Sequence, residues 1–221
     1  LMALNKLKFN SINVTPAANQ GLKFNSSANG FETGSVGGSI TFIKKLTASS
    51  SSSISFVDGS SDVVLDNTYK EYLFIFNNIH PGTNDTRILF QGSIDSGSNY
   101  NVAMTTTAFR AQNYENDSNA NVAYQASADL AQGTGFQRLG ILGMGADNDE
   151  CGNGFLRLFN PSSTTFVKHY ISRFSETGAE PRQVDGFGAG YFNTTSAIDA
   201  VQFKMDSGNI DAGTITLYGI N

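Results

Sequence analysis

Beyond about residue 40 the chain alternates short apolar segments with clusters of Gly, Asn, Asp, Ser and Pro. No window sustains the i, i+3, i+4, i+7 spacing of a globular helix. Strands are therefore predicted over 40–46, 53–57, 71–79, 87–93, 101–109 and 122–125, then 137–142, 155–159, 166–174, 187–192, 197–205 and 213–220. Turn clusters at 58–61, 81–85, 95–99, 160–163 and 206–209 punctuate them. In Tyr72-Leu73-Phe74-Ile75-Phe76 both alternation phases are apolar, the mark of a central strand covered on both sides. In 197–205, by contrast, Val201, Phe203 and Met205 share one phase, while Gln202 and Lys204 share the other and should face solvent. The last strand, ending Leu217-Tyr218-Gly219-Ile220, is expected to close a sheet.

Many short strands imply a sandwich or barrel. With 221 residues, 39% of them hydrophobic, the chain suits one sizeable β domain plus an appendage. The fold class expected is all-β, a jelly-roll-like antiparallel β-sandwich with an extended N-terminal arm. The arm is assigned to residues 1–46 and the sandwich to 47–221. Within the arm, Leu7-Lys8-Phe9-Asn10-Ser11 recurs as Leu22-Lys23-Phe24-Asn25-Ser26, which suggests either chance in a low-complexity segment or two short extended pieces that dock alike on a partner. Thr33 to Gly38 is read as a flexible hinge, and the serine run 49–53 as a loop or strand entry.

Charge narrows the partners. A formal net charge of −5 repels phosphate backbones, so nucleic acid is not expected. The longest apolar runs fall well short of the roughly 20 residues that span a bilayer, and the N-terminal residues lack the apolar centre of a secretion signal. No membrane insertion is expected. Cys151 is the single cysteine, so no internal disulfide forms. Sequons at Asn13, Asn25, Asn84, Asn116 and Asn193 are what an Asn-, Ser- and Thr-rich chain produces by chance.

Chemistry is sparse. His80 sits at a strand end and His169 within an apolar strand, but no Gly-x-Ser-x-Gly elbow supplies a nucleophile. Zinc requires clustered Cys and His, which the chain lacks. The run Asp147-Asn148-Asp149-Glu150-Cys151-Gly152-Asn153 concentrates oxygen ligands, yet counted as an EF-hand it has Cys151 at position five and Leu158 at twelve. It reads as a solvated acidic turn, with an irregular cation loop as the alternative. Gly133-Thr134-Gly135-Phe136-Gln137-Arg138 puts Arg138 where a dinucleotide fingerprint needs its last glycine. No catalytic, cofactor-binding or metal-ligating residue is nominated, and the chain is not expected to be an enzyme. The Tyr-, Asn-, Ser-, Thr- and Gln-rich surface suits wet interfaces or sugars, with Asn99 to Asn101 and Asn113 to Asn119 as candidate sugar-reading loops.

Three stretches carry a resemblance: Tyr72 to Pro81, Leu156-Arg157-Leu158-Phe159-Asn160-Pro161-Ser162-Ser163, and Gly213 to Ile220. Over roughly residues 60–221 the chain resembles virion structural proteins of marine tailed bacteriophages. The resemblance implies a jelly-roll-like sandwich on the particle surface, in a fibre, tail appendage or capsid decoration, commonly a homotrimer, and it carries no catalytic residue across. Such a protein would be made in the host cytoplasm and held to other virion proteins, capsid or tail, by its N-terminal arm. A carbohydrate-binding module that reads host surface glycans is the alternative, and a polysaccharide-degrading enzyme a third.

Overall fold

The computed structural model describes residues 14–15, 21–34 and 39–221. The chain divides into two units, Leu1–Ser39 and Ile40–Asn221. In the first, β1 (Gly21–Phe24) pairs antiparallel with β2 (Phe31–Gly34). Asn25 closes their turn: its N–H donates to the Gly30 carbonyl and its Oδ1 accepts from the Asn29 N–H at 3.2 Å. The second copy of the repeated segment is thus a strand and the start of a turn. The first copy, residues 7–11, lies outside the described residues, as do 35–38; Thr33 and Gly34 of the expected hinge belong to β2.

The second unit begins with β3 (Ile40–Thr47), β4 (Ile54–Val57), β5 (Glu71–Pro81), β6 (Ile88–Ser93), β7 (Met104–Tyr114), β8 (Ala120–Tyr124) and β9 (Ala131–Gly133). It continues with β10 (Gln137–Arg138), β11 (Gly152–Phe159), β12 (Lys168–Thr177), β13 (Arg182–Phe192), β14 (Ala200–Met205) and β15 (Ile210–Ile220). Among the described residues there is no helix. Eight strands pair first with last and so inward, all antiparallel: β3 with β15, β4 with β14, β5 with β11, β6 with β10. Nested pairing of that kind is one long hairpin wound into two sheets, which is the jelly roll. The remaining strands are insertions that widen one sheet only. Its order is β3-β15-β5-β11-β12-β13-β7-β8, with β9 also on β7, against β10-β6-β14-β4 for the other.

The core lies between the sheets. Tyr72, Phe74 and Phe76 point inward from β5, and Phe203 of β14 meets the Phe74 and Phe76 rings at 5.3 and 5.1 Å. Phe56 and Phe90 close the cluster edge-on or tilted around Phe203. Each such ring stabilises the fold by about 1.5–3 kcal/mol through burial. Val201, Phe203 and Met205 are buried as expected, and Lys204 lays its ammonium 4.1 Å from the centre of the Phe136 ring.

Four expectations need correction. The arm does not extend to residue 46: β3 is paired along its length with β15, so the division falls at Ser39/Ile40. The last strand does not close a sheet but lies inside one, between β3 and β5. The segment predicted over 137–142 is a strand for two residues only, because Leu139, Ile141 and Met144 leave it to roof the inner side of β12, β13 and β7. That roof sits close. A Cβ on Gly186 of β13 would lie 2.5 Å from Ile141 Cγ1, so only glycine fits beneath it. Fourth, β5 is central but covered on one side alone: Leu73 and Ile75 remain half-exposed on the outward side.

Candidate functional site

That outward side belongs to a continuous face. Because antiparallel strands keep side chains of one phase in transverse ranks, the register specifies which outward residues are neighbours. In one rank Phe109 of β7 stands between Tyr124 of β8 and Phe187 of β13, and Arg173, Phe155 and Ile75 continue it across β12, β11 and β5. A second rank runs from Ala189 through Ile171, Arg157 and Leu73 to Tyr218 and Phe42. A third holds Val122, Ala111, Asp185 and Ser175.

The face is aromatic and open. Phe109, Ile171, Tyr124, Phe42 and Val122 are 44%, 49%, 56%, 59% and 73% exposed. Phe109 and Phe187 stack with centroids 4.7 Å apart and planes within 5°. Arg173 lies over Phe187, its guanidinium carbon 4.9 Å from the ring centre, and grips Asp185 with two nitrogens, Nη2 to Oδ2 at 2.6 Å and Nε to Oδ1 at 3.0 Å. That carboxylate holds the guanidinium pKa above its ordinary value. Arg157 is likewise paired, its Nε 2.9 Å from Glu71 Oε1. A shallow hollow of about 280 Å3 opens between Asn153, Phe155, Arg173, Ser175, Gln183 and Asp185.

The residues singled out in sequence do not converge. His80 Nε2 lies 3.2 Å from the Asp147 carbonyl oxygen at one end of β5. His169 is at the other end of the sheet, beside Tyr170, which the register connects through Leu158 to Tyr72. Eight residues of strand separate Tyr72 from His80, roughly 27 Å. In the Asp147–Asn153 loop, Glu150 Oε2 accepts from the Asp147 N–H at 2.8 Å and the Glu150 N–H donates to the Asp147 carbonyl, a self-satisfied turn. Among the described residues no three of His, Cys, Asp and Glu gather as metal ligands would. The Thr134 and Gly135 carbonyls accept from Gln91 Nε2 at 3.2 and 2.9 Å, so that glycine-rich turn serves the fold. Asn99 spends its amide and backbone N–H on Asp95. Asn116 and Asn119 likewise bond Ser118 and Asn121 within the β7–β8 turn.

One acid is unusual. Glu176 on the inward side of β12 is 1% exposed, and burial pushes its carboxyl up to about 8, against the pull of Arg87 and Arg182. Its Oε1 accepts from the Leu142 N–H at 2.9 Å, while Oε2 meets no partner among the described residues. Enclosed under the roof segment, it holds that segment down as a neutral acid.

Fold and face together define a jelly-roll sandwich with one greatly widened sheet whose outer surface is aromatic and open. No protein-family model and no curated protein matches the chain. A crystal structure of the infectious bursal disease virus VP2 subviral particle aligns at 10% identity and a TM-score of 0.16, over 90% of this chain and 45% of that one. The chain thus spans less than half the length of that protein.

Proposed function

We propose that this chain is a structural subunit of a tailed-phage virion, a surface appendage, fibre or capsid decoration protein, assembled as a homotrimer on the particle surface. One observation carries the reading: the largest surface element of the sandwich is an aromatic sheet face whose two arginines are each paired with a carboxylate. Surfaces of that kind mark assembly rather than solvent exposure. The first unit supports it, for β1 and β2 expose Leu22, Phe24 and Phe31 on a hairpin too small to be stable alone. Docked on capsid or tail proteins, that hairpin is the attachment point. Immunogold labelling of intact particles with an antibody to this chain is the test, and absence of the chain from purified particles overturns the proposal.

A second reading, a carbohydrate-recognition module, is favoured by the hollow beside Phe155, where an apolar ring adjoins the planar polar groups of Arg173, Gln183 and Asp185. Such a mixture suits a sugar ring. Binding of the full chain to a glycan array, lost on Phe155→Ala, would favour it over the first.

A further inference from the structure

We infer that the outward face of the wide sheet is where a second copy of this chain docks. The inference rests on the structural-subunit reading and adds the contact surface to it. The first argument is in β5. Its two apolar phases match a strand covered on both sides, yet the Ile40–Asn221 unit covers only the phase of Tyr72, Phe74 and Phe76. Leu73 and Ile75 form the middle of an apolar surface that this unit leaves without a lid.

The second argument is size. The three ranks place sixteen outward residues on the face, and at about 4.8 Å by 6.8 Å for each they cover on the order of 500 Å2. Two copies facing each other through it bury about 1,000 Å2 together, the threshold of a specific interface.

The third is charge. Two copies that each carry a net −5 repel, so they can meet only where charge is locally cancelled. The face comes close to that condition: Arg173 is matched by Asp185 and Arg157 by Glu71, which leaves Lys45 of β3 as a positive charge at the face's edge and none of the chain's net negative charge on it. Paired guanidinium groups flanked by aromatic rings are also what interface centres favour.

The face has two unlike halves. Around β7 and β8 it projects Phe109, Tyr124 and Val122; around β5 and β11 it is flatter, with Ile75 and Phe155 half-buried. Projecting half against flat half gives two facing copies complementary surfaces.

The test is the mass of the full chain in solution, measured by light scattering at micromolar concentration, for the wild type, the Phe109→Glu/Phe187→Glu double variant and a Gln202→Glu control on the narrow sheet. Expected are a wild type and a control at the same multiple of 23.6 kDa and a double variant at 23.6 kDa with unchanged circular dichroism. A monomeric wild type overturns the inference, whether or not it binds glycans, and so does a double variant that stays assembled. Should the double variant misfold, Val122→Ser/Tyr124→Ser on the edge strand substitutes for it, with a rise on the order of tenfold in the dissociation constant between copies expected and no change overturning the inference. Assembly through this face by a chain absent from virions would end the virion reading and leave the docking face standing.

Discussion

On the four-stranded sheet the chain roofs its own outer side, whereas on the nine-stranded sheet it leaves a wall of rings bare. The outward side of β6 is sealed: Gln91 is fully buried, with its amide donating to the Val102, Thr134 and Gly135 carbonyls. Beside it Gln202 donates to Ser55 Oγ at 3.0 Å and Lys204 covers Phe136. Polar groups there are spent on the fold. Across the molecule Phe109 and Phe187 stack on each other, Arg173 stands between Phe187 and Phe155, and Ile171 is left 49% exposed. The difference teaches that the long insertions carrying β7–β9 and β12–β13 do two opposite things. Val102 and Thr134 to Phe136 close one sheet, and the strands themselves extend the other into an unfilled surface.

Substitutions can break or sharpen that contrast. The largest effect should come from the interior common to both sheets: Phe203→Ala removes the ring that Phe74, Phe76 and Phe90 enclose, and urea denaturation should show a loss of about 3–5 kcal/mol. Next comes Glu176, which holds the inner roof. Its carboxyl is protonated in the fold up to about pH 8 but ionises near 4.5 once unfolded. Its stabilising contribution is therefore whole below pH 4.5 and is lost as pH rises toward 8, by at most about 1.4 kcal/mol per pH unit. Denaturation midpoints measured from pH 4 to 9 should fall across that window in the wild type and lie nearly level in Glu176→Gln. A rise with pH would refute the burial argument.

Gln91→Leu strips three carbonyls of their donor on the sealed side, and thermal unfolding should register about 1–3 kcal/mol. Smallest is the bare side: in dissociated protein, Phe109→Ala should cost about 1 kcal/mol or less, what a surface aromatic pair contributes. If Phe109→Ala in the monomer cost as much as Phe203→Ala, the face would be a core and the contrast would collapse.

Much of the sandwich was legible in the sequence because alternation is local. Val201, Phe203 and Met205 declare their side at once, and Tyr72 to Phe76 declare a central strand. What escaped was whatever depends on pairing between distant segments. Nothing local marks β10 as two residues long, or Arg182 to Gly186 as strand, since glycines at 186, 188 and 190 erase the alternation. The face was half visible. Leu73 and Ile75 signalled an apolar second side, but that it stays open follows only from the sheet order, which also brings Phe109 to Phe187. The Asn-rich loops read two ways for a physical reason: asparagine amides suit sugars, and they suit their own turns equally well.

The nested pairing carries a consequence for synthesis. The wide sheet is divided until β15 arrives, since β3 and β5 touch through it and not directly. A ribosome must therefore release residues 210–220 before the strand made first in this unit finds its partner, about 170 residues after it emerged. Contact order is high and closure late, so folding should be slow. A chain cut short before residue 210 would leave an edge of β5, rich in Tyr and Phe, free to template aggregation.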